Sequence, residues 1–203
     1  MLGIDRLSNN LRKKNYKTLA EISHSYCLYC AKQEKDNPNV FYHDKEYGFP
    51  IHDDNELFGR LILEINQAGL SWNTILNKKE NFRSAYAGFD IKKIAKFKEK
   101  DRLKLLSNAG IIRNKLKVNA AIVNANKILA LQKSHGSFEA WLDAHHPLSK
   151  EEWVKLFKKN FVFTGGEITG EFLMSTGYLP GAHDQHCPVY KKILKHKPAW
   201  KRK

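Results

Sequence analysis

Two Cys/His pairs and one carboxylate on an apolar helix face are the residues of this chain best placed to do chemistry. Cys30 and His43 stand 13 positions apart, and His183 and Cys187 lie one helical turn apart. Two thiols and two imidazoles form a ligand set that tetrahedral zinc accepts, and four protein ligands make a closed, structural site. A metal bridging the pairs would close a loop of nearly the whole core, which restricts the unfolded chain strongly. Spacing alone leaves the choice open, because Cys27, His24, His52 and His186 compete as ligands. Two buried cysteines with two surface histidines is the plainer alternative. The three cysteines, Cys27, Cys30 and Cys187, are too few for a disulfide scaffold, and their odd number points to free thiols or a metal.

Glu64 is the carboxylate. At about 100° per residue it falls beside Leu57, Leu61 and Ala68, tilted towards the apolar face of its helix. There it needs a partner or faces a pocket; a rim glutamate reaching solvent is the commoner arrangement. The next residues favour a pocket. Gln67-Ala68-Gly69-Leu70-Ser71-Trp72 ends one helix and opens another on a tryptophan, and Phe41, Tyr42 and Tyr47 add three rings. Aromatic walls around a carboxylate suit a planar, cationic ligand, with plain core packing as the alternative. A third feature is the turn Ser107-Asn108-Ala109-Gly110, followed by Ile111-Ile112-Arg113-Asn114-Lys115. A glycine turn that aims a helix N-terminus outward, with Arg113, Lys115 and Lys117 nearby, can hold a DNA phosphate. Most helix–helix connections also carry a glycine, so the turn by itself says little.

The elements that must position these groups read as helices throughout. Asp53 or Asp54 caps a helix whose apolar residues Leu57, Phe58, Leu61, Ile62, Ile65 and Ala68 follow the 3.6-residue period and which stops at Gly69. Short helices are expected at 72–87, 91–97 and 101–107. A long helix with Val118, Ile122, Ala125 and Leu129 on one face comes next, and then helices at 137–145, 149–158 and 167–176. Phe161–Phe163 is short and apolar enough to be extended, but no sheet is expected. Residues 1–25 read as a basic extension whose Arg12, Lys13, Lys14 and Lys17 would add non-specific DNA affinity if they did anything. Residues 26–190 read as one domain, and 191–203 as a lysine-rich tail ordered only in part.

Bulk properties narrow the partner. The chain has 203 residues, enough for one sizeable core, and a net charge of +14. That charge suggests a polyanion, since neutralising phosphates releases condensed counterions; a merely lysine-rich surface is the alternative. The basic residues are spread over many segments rather than gathered on one amphipathic anchor, which favours nucleic acid over a membrane surface. No segment approaches the roughly 20 apolar residues of a membrane helix. The N-terminus lacks the apolar core of a secretory signal, so an intracellular protein is expected.

Three stretches occur together and in order: Tyr42-His43-Asp44-Lys45-Glu46-Tyr47-Gly48, Gln67-Ala68-Gly69-Leu70-Ser71-Trp72 and Ala109-Gly110-Ile111-Ile112-Arg113-Asn114. They resemble the bacterial 3-methyladenine DNA glycosylase I family, and the resemblance covers about residues 30–190. It implies an all-α, helix–hairpin–helix glycosylase domain with one structural Zn2+ tying the N- and C-terminal segments together. It also selects Cys30 over Cys27, giving Cys30, His43, His183 and Cys187 as ligands. Glu64 matches the family's base-recognising glutamate, and Tyr42 and Trp72 match its stacking aromatics. Tyr47 stands where tryptophan is usual, and Gly110, Arg113 and Lys115 fall on the DNA-holding hairpin.

The resemblance further implies a monomer of the bacterial cytoplasm that excises 3-methyladenine from double-stranded alkylated DNA, without strand cleavage and without a membrane. Other positions depart more from the pattern. Lys32 and Asn39 replace common aromatics, and Thr164-Gly165-Gly166-Glu167 replaces a neutral stretch, so that Glu167 would add a second carboxylate near the pocket or favour a helix N-terminus. These departures leave room for a broader lesion range or for a zinc-stabilised DNA-binding module without catalysis.

Overall fold

The computed structural model describes residues 25–202, and every regular element among them is helical. The helices are α1 (Tyr26–Ala31), α2 (Pro38–Lys45), α3 (Asp54–Gln67), α4 (Trp72–Leu76), α5 (Lys79–Ala85), α6 (Ile91–Ile94), α7 (Glu99–Ser107), α8 (Lys115–His135), α9 (Phe138–His145), α10 (Lys150–Asn160), α11 (Gly166–Ser175) and α12 (Pro188–Lys195), with 3-10 turns at Ala87–Phe89 and Ala199–Lys201. The lysines and arginine proposed to act from the N-terminal extension, and His24, lie outside the described residues.

Helix α3 is the axis of the molecule. It packs against α4, α5, α6, α8, α9 and α11, and every residue from Leu57 to Asn66 is buried. Its local signals behave as their chemistry demands. Asp53 caps the start by accepting from the Glu56 N–H at 3.0 Å, whereas Asp54 accepts from the N–H groups of Phe138 and Glu139 and so caps the start of α9. At the other end Gly69 takes φ +78°, a conformation that costs glycine little. Gly59 serves a different need: a Cβ there would sit 2.4 Å from the Phe89 ring, so its absence lets the 3-10 turn close onto α3.

Two expectations change. The single helix expected over 72–87 is broken into α4, α5 and a 3-10 turn. The lysine-rich tail is built into the fold: α12 runs across residue 190, Ala199 is buried in the main core, Trp200 stacks on Tyr190 and Arg202 pairs with Asp143 at 3.0 Å. Its charged residues alternate with Val189 and Ile193, which are buried beside Cys187. Phe161–Phe163 is not a strand. The Asn124 side chain supplies both hydrogen bonds a strand neighbour would give, donating to the Val162 carbonyl at 3.0 Å and accepting from its N–H at 2.9 Å. This pins the segment that delivers α11.

Candidate active site

A cavity of about 720 Å³ opens between α1, α2, α3, the start of α4 and α11. Tyr26, Tyr42, Tyr47 and Trp72 give it four aromatic rings, and Glu64, Glu167 and Glu171 give it three carboxylates; among the described residues no lysine or arginine lines it. In a chain of net charge +14, that reversal of sign is the site's defining property. Glu64 projects from the centre of α3 and is 3% exposed. Burial pushes its carboxyl up to about 8, against the pull of the Arg60 guanidinium and with a further push from Glu171. Arg60 is engaged elsewhere. It donates to the Tyr42 hydroxyl at 3.1 Å, to the Ser175 carbonyl at 3.3 Å and to Glu46 at 3.2 Å, with its guanidinium 4.9 Å from the centre of the Tyr42 ring. Lys79 makes a second ion pair to Glu46. Tyr42 is thereby locked from behind.

The rings are arranged differently from a simple slot. Tyr42 and Trp72 have centroids 5.0 Å apart and planes 56° apart, whereas a base stacked between two faces needs about 7–8 Å. They form a corner that offers a face and an edge. Tyr47 leans on Tyr42 at 5.5 Å, and Tyr26 meets Tyr47 edge-on at 5.5 Å. Phe41, grouped with these rings in the sequence, is 60% exposed on the far face of α2 and takes no part.

Tyr26 is the wall the sequence reading missed. Its hydroxyl donates towards the backbone and side-chain oxygens of Asn39 (3.3 and 3.1 Å), and Asn39 in turn donates to Asn73 at 2.9 Å. The polar residue at 39 thus anchors a ring arriving from α1, while Lys32 lies exposed beyond the end of that helix. The missing aromatics at 32 and 39 were the available signal that another ring stands in.

Beside the pocket, Cys27, His43, His183 and Cys187 converge, with one donor atom from each lying within 4.8 Å of all the others. Cys27, not Cys30, is the first member. Cys30 follows three residues later on α1, and its buried thiol points to the Asn39 carbonyl at 3.5 Å. The donor distances fit a tetrahedral ion. Sγ of Cys27 and of Cys187 are each 3.6 Å from Nδ1 of His183, and Sγ of Cys187 is 3.7 Å from Nε2 of His43. Metal–sulfur bonds of about 2.3 Å and metal–nitrogen bonds of about 2.0–2.1 Å set S···N edges of about 3.5–3.6 Å.

Each imidazole has its other nitrogen occupied: His43 Nδ1 faces Asp44 at 2.7 Å, and His183 Nε2 faces the Tyr47 carbonyl at 2.8 Å. Such partners fix the tautomer that presents the remaining nitrogen to a metal. Burial holds His183 down to about 4, in the neutral form a ligand needs. Of the competing ligands, His52 pairs with Glu139 and His186 is exposed.

The glycine turn joins α7 to α8. Asn108 Oδ1 accepts from the Gly110 N–H at 2.8 Å, Lys78 donates to the carbonyls of Ala109 and Gly110, and Asn114 caps α8. Arg113 and Lys115 are exposed just beyond. Lys117, grouped with them in the sequence, is instead buried, and its ammonium donates to the carbonyls of Asn66 (2.9 Å) and Ala68 (2.7 Å). It closes the C-terminal end of α3, ahead of the turn that leads to Trp72.

Among the described residues, fold and site together define an all-helical protein with an acidic, aromatic-walled pocket. Residues 32–160 match the family described as methyladenine glycosylase. The DNA-3-methyladenine glycosylase of Haemophilus influenzae is 37% identical over 168 residues, covering 73% of this chain and 90% of that one. DNA-3-methyladenine glycosylase 1 of Escherichia coli is 40% identical over 180 residues, covering 79% and 96%. A solved structure of 3-methyladenine DNA glycosylase I from Staphylococcus aureus, described as giving the structural basis of 3-methyladenine recognition, aligns with a TM-score of 0.71 at 30% identity over 79% of this chain and 95% of that one. The chain belongs to the methyladenine glycosylase family.

Proposed function

We propose that the protein is a monofunctional DNA glycosylase that extrudes 3-methyladenine from alkylated duplex DNA and hydrolyses its N-glycosidic bond. The observation that carries this reading is the cavity lined by three carboxylates and four rings and, among the described residues, by no cationic side chain, in a strongly basic chain. A polyanion is drawn to the surface, while the pocket accepts only what is flat and positive. A base must leave the stack to be reached, at a cost of a few kcal/mol. N3-methylated adenine is cationic while joined to its sugar and departs as a neutral base, so the C1′–N bond breaks with its electron pair moving into the ring. Water supplies the new C1′–O bond and loses a proton to solvent. Tyr42, Trp72 and Tyr47 hold the base, and Glu64 accepts hydrogen bonds from its edge; no lysine acts as nucleophile.

The turn around Gly110 serves as the hairpin of a helix–hairpin–helix element, with Arg113 and Lys115 meeting the phosphates. Cys27, His43, His183 and Cys187 hold one structural Zn2+. With four protein ligands it supplies cross-linking and no open position for chemistry. His43 directly follows Tyr42, and His183 bonds the Tyr47 carbonyl, so this cross-link sets two of the pocket's walls.

The test is to incubate methylated duplex DNA with the protein and identify every released base by chromatography, with Glu64→Gln as control. Release of 3-methyladenine with intact strands, lost in the variant, is expected. Absence of any released base from DNA that the protein binds would replace this reading with a binding module.

A further inference from the structure

Glu171 sits one turn beyond Glu167 on α11, and the two carboxylates have different surroundings. Glu167 is 91% exposed and pairs with Lys150 at 3.7 Å. Glu171 is partly buried and lines the same cavity as Glu64, with its Oε2 accepting from the Tyr47 hydroxyl at 3.3 Å. Helix α11 packs directly on α3, so the two carboxylates enter the cavity from adjoining helices. Among the described residues neither forms an ion pair: Arg60 is bonded to Glu46, Tyr42 and Ser175, and Lys150 serves Glu167. A carboxylate accepts hydrogen bonds and, when ionised, donates none. Two of them with no ion-pair partner among the described residues, beside four rings, favour a ligand that brings positive charge and N–H groups.

We propose that Glu171 is a substrate-contacting, specificity-determining residue that forms with Glu64 a two-carboxylate clamp, selecting a cationic base over the neutral, acceptor-rich bases of undamaged DNA. The proposal rests on reading the cavity as a base pocket. Two neighbouring carboxylates cannot both ionise freely while the cavity is empty. Burial and the proximity of Glu171 both favour a proton on Glu64, and burial raises Glu171 as well. A cationic base entering the clamp takes over the role of that proton, which leaves to solvent. The groups that tune the exchange are Glu64 and Arg60 on α3, Tyr47 after α2, Glu167 on α11 and Lys150 on α10.

The test compares two probes in the intact protein: 3,9-dimethyladeninium, the lesion base with a methyl group in place of the sugar, and neutral 9-methyladenine. Binding is followed by quenching of protein fluorescence, since Trp72 lines the cavity. Glu171→Gln keeps the size and an acceptor for Tyr47 but removes the charge. It is expected to weaken the cation about tenfold while leaving the neutral base within about twofold. The pH of half-maximal cation binding should move down, because Glu64 loses its like-charged neighbour. Glu171→Asp, which retains the charge, should retain the preference. Equal loss of both probes in Glu171→Gln, or an unchanged preference, overturns the clamp. If the wild type discriminates by charge through Glu171 yet releases no 3-methyladenine from methylated DNA, the clamp stands and the proposed substrate fails. Excision with no charge preference has the opposite meaning.

Discussion

Replacing Glu64 by glutamine removes a titrating carboxylate from the middle of α3 while keeping its size and an acceptor oxygen. Burial, opposed by Arg60 and reinforced by Glu171, holds the Glu64 proton to about 8 instead of the ordinary 4.5. The unfolded chain releases this proton near the ordinary value. Between 4.5 and about 8 the native state therefore binds more protons than the unfolded one, and stability falls as pH rises through that window. Each pH unit is about 1.4 kcal/mol, so the ionised carboxylate costs the fold about 4–5 kcal/mol at the alkaline end. The cavity is open to water, which reduces the measurable cost to about 2–3 kcal/mol.

The assay is equilibrium urea unfolding of both proteins at fixed zinc concentration, at about pH 5 and about pH 9. The two should be nearly equal in acid, and Glu64→Gln should be the more stable by about 2–3 kcal/mol in alkali. Excision should meanwhile collapse. A stability difference that does not change with pH would show that Glu64 is solvated and ionised at neutrality. The account of a buried carboxylate awaiting a cation would then be wrong.

Three other outcomes follow from the geometry. Cys27→Ser should lose bound zinc, measured by elemental analysis of the purified protein, whereas Cys30→Ser should keep it; the reverse pattern would restore the Cys30 assignment. Lys117→Met leaves the carbonyls of Asn66 and Ala68 unpaired and should lower stability by about 2–3 kcal/mol in urea titrations. It should also slow excision, because the turn leading to Trp72 loses its anchor. Arg113→Ala and Lys115→Ala should weaken binding to any duplex sequence alike. Each should lower the slope of log affinity against log salt by about one, with release of the base in single-turnover assays at saturating protein little changed.

Much of this molecule could be read before it was folded, and the parts that could share a cause. Helix ends are set by groups within a turn or two of each other. Asp53 ahead of an apolar period, and Gly69 where φ must turn positive, therefore declared α3 almost to the residue. Glu64 stood out because a carboxylate among Leu57, Leu61 and Ala68 violates the pattern of its own helix. The sign of the surface was a matter of counting charges.

Other features depended on which segments come to rest against which. Cys27 and Cys30 lie three residues apart on the short helix α1, and no spacing rule chooses between them. Only the packing of α1 on α2 turns Cys27 towards His183 and Cys30 towards Asn39. Lys117 reads as one more basic residue after the Gly110 turn until α8 meets the end of α3, where its ammonium finds two orphan carbonyls. Glu171 is an ordinary helical glutamate along the chain. It lines the same cavity as Glu64 because Asn124 pins the preceding segment and α11 docks on α3. The sequence by itself determined the helices from α3 to α11 apart from the break within 72–87, the charge and the anomalous glutamate, since each follows from local pattern or simple counting. The tertiary structure alone decided which cysteine joins the Cys/His cluster, the corner of rings and the cavity that Glu64 and Glu171 share, because each depends on residues remote in sequence coming together.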